Sequence, residues 1–303
     1  MQKNQTVLII GYGSAGRQHA KILRRNKNIK KIYIFSKQKI KGFNCLKKIE
    51  DTNKINPDYI IISSRTSDHL KYLRFIENNF KNKLILVEKP LFSRSEKLSI
   101  KNNKKIFVGY NLRQSPVLNY LKKFIKNKKI TSVKIDCFSY LPNWRKNINY
   151  AKSNSAKKNY GGGALLELSH EIDYLQWIFG KIVVINSSKL LKLSNLNIDC
   201  EDTVNLIGKT KKTNFFINLS LCSFFNKRTI LIDGTDFSLI ADLINNSITI
   251  KQKLKKLKKI KFKKLLTYKI QHELILNRNF NNLCTYKEGV KLTSILDKIK
   301  KQK

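Results

Sequence analysis

The strongest constraint on this chain is VLIIGYGSAG, residues 7–16, where an apolar strand runs directly into G-x-G-x-x-G and a helical pattern follows. A strand turning sharply onto a helix needs glycine wherever a side chain cannot fit. Gly11 permits the tight turn, Gly13 lets a pyrophosphate approach the backbone, and Gly16 lets helix and strand pack closely. The match is specific because it follows a strand and opens the first βαβ unit. Gly11, Tyr12, Gly13, Ser14, Ala15 and Gly16 therefore read as a dinucleotide cradle, with the first helical amides facing the phosphates.

The next apolar runs are KIYIFS (31–36), YIIISS (59–64), LILVEKP (84–90) and IFVGYN (106–111), most of them separated by helical segments. Strands this uniformly apolar are buried on both faces, as in a doubly wound parallel sheet. After about residue 115 the pattern changes. PVLNYLKKFIKNKK reads as a connecting helix, and the strands beyond it are longer and alternate in polarity. In TNFFINLSLCSF, Phe215, Ile217, Leu219 and Leu221 share one face, with Asn218 and Ser220 on the other. That alternation fits an open antiparallel sheet with one face covered by helices. The expected fold is α/β: an N-terminal Rossmann domain over residues 1–113, then a C-terminal α+β domain over 114–303 on a large, mostly antiparallel sheet.

A net charge of +42 suggests nucleic acid as a rival partner, but the 62 basic residues comprise 52 lysines and only 10 arginines. Base readout and phosphate clamping favour arginine. The lysines are scattered among asparagines and isoleucines, all with A/T-rich codons, so genome bias is the simpler origin. No specific nucleic-acid partner is expected, and KQKLKKLKKIKFKK (251–264) reads as a solvated surface segment. The five cysteines include no C-x-x-C pair, which suits reduced thiols in the cytoplasm and implies neither a disulfide frame nor a metal site. No apolar run approaches the ~20 residues of a membrane helix. The N-terminus lacks a signal-peptide pattern.

The choice of nicotinamide cofactor is read at the end of the second strand, where an acid usually holds the ribose 2′-hydroxyl. This chain has Ser36 and Lys37 there, and its next acid is Glu50. A hydroxyl and a cation suit a 2′-phosphate, so NADP(H) is favoured, with NAD(H) as the alternative.

With GYGSAG, VEKP (87–90), GYNLRQSP and CEDTVNLI in view, the whole chain resembles the Gfo/Idh/MocA family of sugar oxidoreductases. The resemblance implies hydride transfer between a nicotinamide and a sugar or nucleotide-sugar carbon, and a homodimer or homotetramer formed through the open sheet face. It implies a role for Lys89 at the nicotinamide and the substrate hydroxyl, beside Glu88 and Pro90, with the Lys–Pro bond often cis. It also brings Ser63, Ser64 and His69 to the cofactor and Asn111 to the substrate. Ser64-Arg65 depart from the family's usual Thr-Pro, while His69 keeps its place.

The family's second signature, glycines followed by a helix bearing an acid and a histidine, corresponds to GGGALLELSHEIDYLQWIFG (161–180). Here Glu167 replaces the usual aspartate, and two residues rather than three separate it from His170. Both spacings fall on one helix face. His170 is the candidate general acid/base, since an imidazole titrates near neutrality. Lys89 is the candidate polarising cation, and Glu167 or Asp173 the supporting carboxylate. The preceding polar stretch (140–163) offers Trp144, Arg145 and Tyr150 as substrate contacts. A catalytically silent cofactor-binding sensor or assembly protein of the same fold is the alternative function.

Overall fold

The computed structural model describes residues 4–38, 40–146 and 148–302. These residues form two compact units: residues 1–111 with 266–294, and residues 112–265 with 295–303. The first unit opens with β1 (Gln5–Ile10), α1 (Ser14–Leu23), β2 (Ile29–Phe35), β3 (Asn44–Leu46), β4 (Tyr59–Ile62), α2 (His69–Asn79), β5 (Leu84–Val87) and β6 (Lys105–Val108). The second contains α3 (Pro116–Phe124), β7 (Ile130–Tyr140), α4 (Ala164–Glu167), α5 (His170–Phe179), β8 (Ile182–Leu191), β9 (Thr203–Thr210) and β10 (Asn214–Ser220). It continues with β11 (Cys222–Gly234), β12 (Phe237–Asp242), β13 (Ser247–Gln252) and β14 (Lys258–Lys261). The chain then supplies α6 (Thr267–Leu276), β15 (Cys284–Thr285) and α7 (Tyr286–Lys301).

In the first unit the sheet order is β15-β6-β5-β4-β1-β2-β3. Its first six strands in chain order run parallel and only β15 is antiparallel, against β6. The strand order reverses beside β1, so the crevice outside its carboxyl end is the place where such sheets bind ligands. Val7, Ile9, Ile34, Ile61 and Leu86 are buried in one core with Ala20 and Leu23 of α1.

Ile275 and Leu276 of α6, and Leu283 just beyond it, belong to that same core. The contacts group this stretch differently from the expected two-domain division. Residues 266–294 fall in the first unit and not in an uninterrupted second domain over 114–303. Local periodicity reveals that α6 has an apolar face, but not which distant core receives it.

The second unit is built on a sheet of order β14-β13-β12-β11-β7-β10-β9-β8. Only β7 and β10 pair in parallel; the other neighbours are antiparallel. Helices cover one face: α3 packs on α5 and β12, and α4 on β9 and β10. The expected alternation in β10 is present, with Phe215, Ile217 and Leu219 buried and Asn214 and Phe216 exposed. The lysine run is largely solvated, yet it also supplies β14, the exposed edge strand of this sheet. Lysines on an edge discourage pairing with another chain.

Candidate functional site

In the first unit the glycine loop has the shape a dinucleotide requires. Gly11 has φ +97°, and a Cβ there would stand 2.7 Å from the backbone of Ser63 and Ser64. A Cβ on Gly16 would lie 2.2 Å from the Gly11 carbonyl. Gly13 differs, since a Cβ there would meet nothing within 4 Å. The protein's own packing therefore demands two of the three glycines, while the third faces open space. No side chain caps α1 and its first turn holds no acid, so the helix N-terminus is suited to a phosphate. These features fit a pyrophosphate.

The predicted cofactor residues of this unit gather around the carboxyl ends of the strands. Ser63 donates from its Oγ to the Gly11 carbonyl at 2.9 Å. Ser64 follows it, and its carbonyl lies 3.3 Å from Nε2 of His69. His69 is buried, and its Nδ1 lies 3.1 Å from the Pro90 carbonyl and 3.2 Å from that of Leu91. Burial holds this imidazole below its ordinary pKa, against the Glu88 charge and the three carbonyls. A neutral ring has one N–H, so His69 donates to the carbonyls on only one of these two sides at a time.

Lys89 is half-buried just beyond β5, and its bond to Pro90 is cis. Its backbone N–H donates to Oε2 of Glu88 at 3.1 Å. Burial alone would raise the Glu88 carboxyl. The hydrogen bond from His19, with the neighbouring Lys89, instead holds it below the usual carboxylate range. Asn111 is buried and donates to Thr267 Oγ1 at 3.0 Å.

At the end of β2, Ser36 accepts a hydrogen bond from the Gln38 N–H at 3.2 Å, and Lys37 is exposed. Tyr12 meets the Phe43 ring edge-on, with centroids 6.0 Å apart. A groove of about 640 Å³ also belongs to this unit, but it is lined from Gln18 to Asn28 and by α6 rather than by the glycine loop.

In the second unit the helix expected to carry both Glu167 and His170 is broken. Helix α4 ends at Glu167, Leu168 leaves helical geometry at φ −101°, ψ 28°, and α5 begins at His170. The shared-face argument for this pair therefore fails. Both side chains are half-buried. Gly163, at φ +101°, starts α4, and a Cβ there would stand 2.5 Å from the Glu201 carboxylate. Glu201 accepts the Leu165 N–H at 3.1 Å, tying the glycine turn to the strand region before β9.

Asp173 does share α5 with His170, but its carboxylate is engaged by Arg113, Nη2 to Oδ1 2.7 Å and Nε to Oδ2 3.0 Å. Glu171, fully buried, pairs with Arg228 at 2.7 Å. The acids around His170 are thus largely anchors for α5. Trp144, Arg145 and Tyr150 come together around one recess of about 10 Å³, lined also by Leu141, Pro142, Ile148 and Ser153. That volume is too small for a sugar ring. Tyr150 Oη accepts the Asn197 N–H at 3.2 Å.

Sequence reasoning missed His19, Tyr59 and His272, which join Glu88 in one buried network. His19 carried a signal, since it lies three residues beyond Gly16 on the buried stripe of α1. His272 carried none. The five cysteines are free. Among the described residues no group of three or more His, Cys, Asp or Glu could hold a metal, and no helix is long and apolar enough to cross a membrane.

A doubly wound sheet with this glycine cradle defines a dinucleotide-binding protein of the Rossmann class. Residues 5–102 match the oxidoreductase family described as "NAD-binding Rossmann fold", and residues 122–300 match that family's C-terminal alpha/beta domain. The chain belongs to the Gfo/Idh/MocA oxidoreductase family. No curated protein matches the chain.

Solved structures share the fold at low identity. The WlbA dehydrogenase from Bordetella pertussis, in complex with NADH and UDP-GlcNAcA, is 16% identical with TM-score 0.77, over 99% of this chain and 96% of that one. Levoglucosan dehydrogenase, in complex with NADH and levoglucosan, is 17% identical with TM-score 0.83, over 99% and 97%. UDP-N-acetylglucosamine 3-dehydrogenase GnnA from Acidithiobacillus ferrooxidans is 13% identical with TM-score 0.75, over 98% and 96%.

Proposed function

We propose that this oxidoreductase moves hydride between a nicotinamide and a hydroxyl-bearing or keto carbon of a sugar or nucleotide sugar, with NADP(H) favoured over NAD(H). The observation that carries this reading is the open backbone at Gly13, beside a helix N-terminus free of acids, in a unit whose β5 is followed directly by Glu88-Lys89-Pro90. The solved neighbours in complex with UDP-GlcNAcA and levoglucosan support the sugar class. Five free thiols suit the cytoplasm.

The nicotinamide, when bound, supplies the hydride acceptor or donor. The chain's own residues handle the proton and the charge. In the oxidative direction His170 takes the hydroxyl proton, and the Lys89 ammonium stabilises the oxygen as its negative charge develops. In the reductive direction the same imidazole returns the proton. Glu167 is kept as the carboxylate supporting His170, and Asp173 acts on it indirectly by anchoring α5 to Arg113. Asn111, Trp144, Arg145 and Tyr150 are proposed as substrate-side groups.

Ser36 and Lys37 stand where a ribose-binding acid is usual, which supports the phosphate-bearing cofactor. Dissociation constants for NADPH and NADH at physiological salt test this, with NADPH expected to bind more tightly. Equal or reversed affinities overturn the preference. A thermal-shift screen of nucleotide sugars with cofactor present then tests the substrate class, because a ligand of the native state raises its melting temperature. A chain that binds cofactor but turns over no sugar is the silent binder.

A further inference from the structure

Four buried polar side chains from separate parts of the first unit form a continuous chain of hydrogen bonds. Tyr59 Oη lies 3.0 Å from His272 Nδ1, His272 Nε2 2.9 Å from His19 Nδ1, and His19 Nε2 2.9 Å from Glu88 Oε1. The other carboxylate oxygen, Glu88 Oε2, accepts the Lys89 N–H at 3.1 Å. Tyr59 and His19 are 0% exposed, His272 1% and Glu88 6%, so water does not compete for these groups.

The positions of the protons follow from counting donors. Among the described residues the only partner of Tyr59 Oη is His272 Nδ1. A buried hydroxyl proton has to be used, so Tyr59 donates and His272 Nδ1 accepts. Burial holds His272 neutral. Its single proton is therefore on Nε2 and is donated to His19 Nδ1. His19 is left to donate from Nε2 to Glu88. Every donor in the chain points toward one carboxylate.

We propose that His272 is a positioning residue for the Glu88-Lys89-Pro90 turn: by holding His19 in the tautomer that donates to Glu88, it keeps that carboxylate locked onto the Lys89 backbone. Glu88 has two oxygens, one held by His19 and one holding Lys89, so its rotation is fixed only while both bonds stand. Removing the His272 N–H frees His19 to change tautomer and frees the carboxylate to swing. The effect on ligand binding rests on the functional reading above, because it requires Lys89 to act at the dinucleotide. The orientation of the network does not require it.

The experiment has two arms. The first is an imidazole ¹⁵N spectrum of the unaltered protein, tractable because the chain has four histidines. His19 and His272 are expected as neutral rings with the proton on Nε2. A His19 ring protonated on Nδ1 overturns the proposal. The second arm measures NADPH and NADH affinity for His272→Leu and His272→Gln, with folding checked by circular dichroism.

The leucine variant is expected to bind dinucleotide on the order of ten-fold more weakly, the scale of one lost buried hydrogen bond. Glutamine, whose amide N–H can replace Nε2–H, is expected to restore most of that loss. Wild-type affinity in folded His272→Leu, or equal weakness in both variants, overturns the proposal. If the leucine variant does not fold, the spectrum and the glutamine variant decide it. If the unaltered protein binds no dinucleotide, the functional reading fails, while the spectrum still decides the network.

Discussion

Arg113 holds Asp173 through two hydrogen bonds of 2.7 and 3.0 Å, with both side chains about 5% exposed or less. A forked guanidinium and a carboxylate meet in the geometry that suits them best. Taking away one partner strands the other charge in the interior, at a cost of ~3–5 kcal/mol. Asp173→Ala should therefore lower the melting temperature markedly. Replacing Arg113 and Asp173 together with apolar residues of similar size should recover much of the loss. A stable Asp173→Ala protein with lost turnover would instead make Asp173 a direct partner of the chemistry.

His170→Ala separates the proton carrier from a packing residue. Folding and dinucleotide affinity should stay near wild type, while turnover falls by roughly 10²–10⁴-fold. Unchanged turnover in a destabilised protein would assign His170 to packing. Lys89→Ala should also cut turnover, with dinucleotide affinity measured on the same preparation.

The sheet of the second unit exposes Phe216, Phe224, Phe225, Ile207 and Ile240, with Phe216 opposite Ile207 on neighbouring strands and Phe225 84% exposed. Large apolar side chains left exposed in this way mark protein contact surfaces. We propose that two copies meet there, giving a homodimer or homotetramer. Light scattering at micromolar concentration should show the oligomer, and Phe225→Asp should shift it toward monomer. A monomeric mass for the unaltered chain sinks the proposal.

Stability should fall with acid in two stages. Burial holds His69 and His272 below their ordinary value. The unfolded chain therefore binds their protons first, and stability is lost as pH drops below about 6.5. Burial alone would raise Glu88, Asp136 and Asp202, but their hydrogen bonds, joined by neighbouring cations at Glu88 and Asp136, hold them below the carboxylate range. Their contribution is present above the unfolded value, ~4, and is lost as pH falls through the folded one. Glu201, raised by burial, works in the opposite sense. Melting temperatures at pH 7.5, 5.5 and 4 check this; a flat profile contradicts it.

The first sheet was legible because its strands are apolar throughout and its glycines mark the turns. The same reasoning stopped at two places for physical reasons. Nothing between Glu167 and His170 resembles a helix breaker, yet the helix stops at Leu168. Its start is fixed by Gly163 against Glu201, a contact across 38 positions of chain. His272 is silent in sequence because its partners lie 253 and 213 residues away. Tertiary contacts of that range leave no periodic trace.

The return of residues 266–294 to the first unit has a consequence for synthesis. On the ribosome the parallel strands emerge first, but the edge strand β15 and the helix that brings His272 come only after residue 266. Unit one cannot close until residues 266–294 have been made, whereas most of unit two, residues 112–265, is continuous and emerges earlier. Growing chains halted near residue 265 should thus carry a dinucleotide sheet with an uncovered β6 edge, the stage at which nascent molecules are most prone to pair with one another.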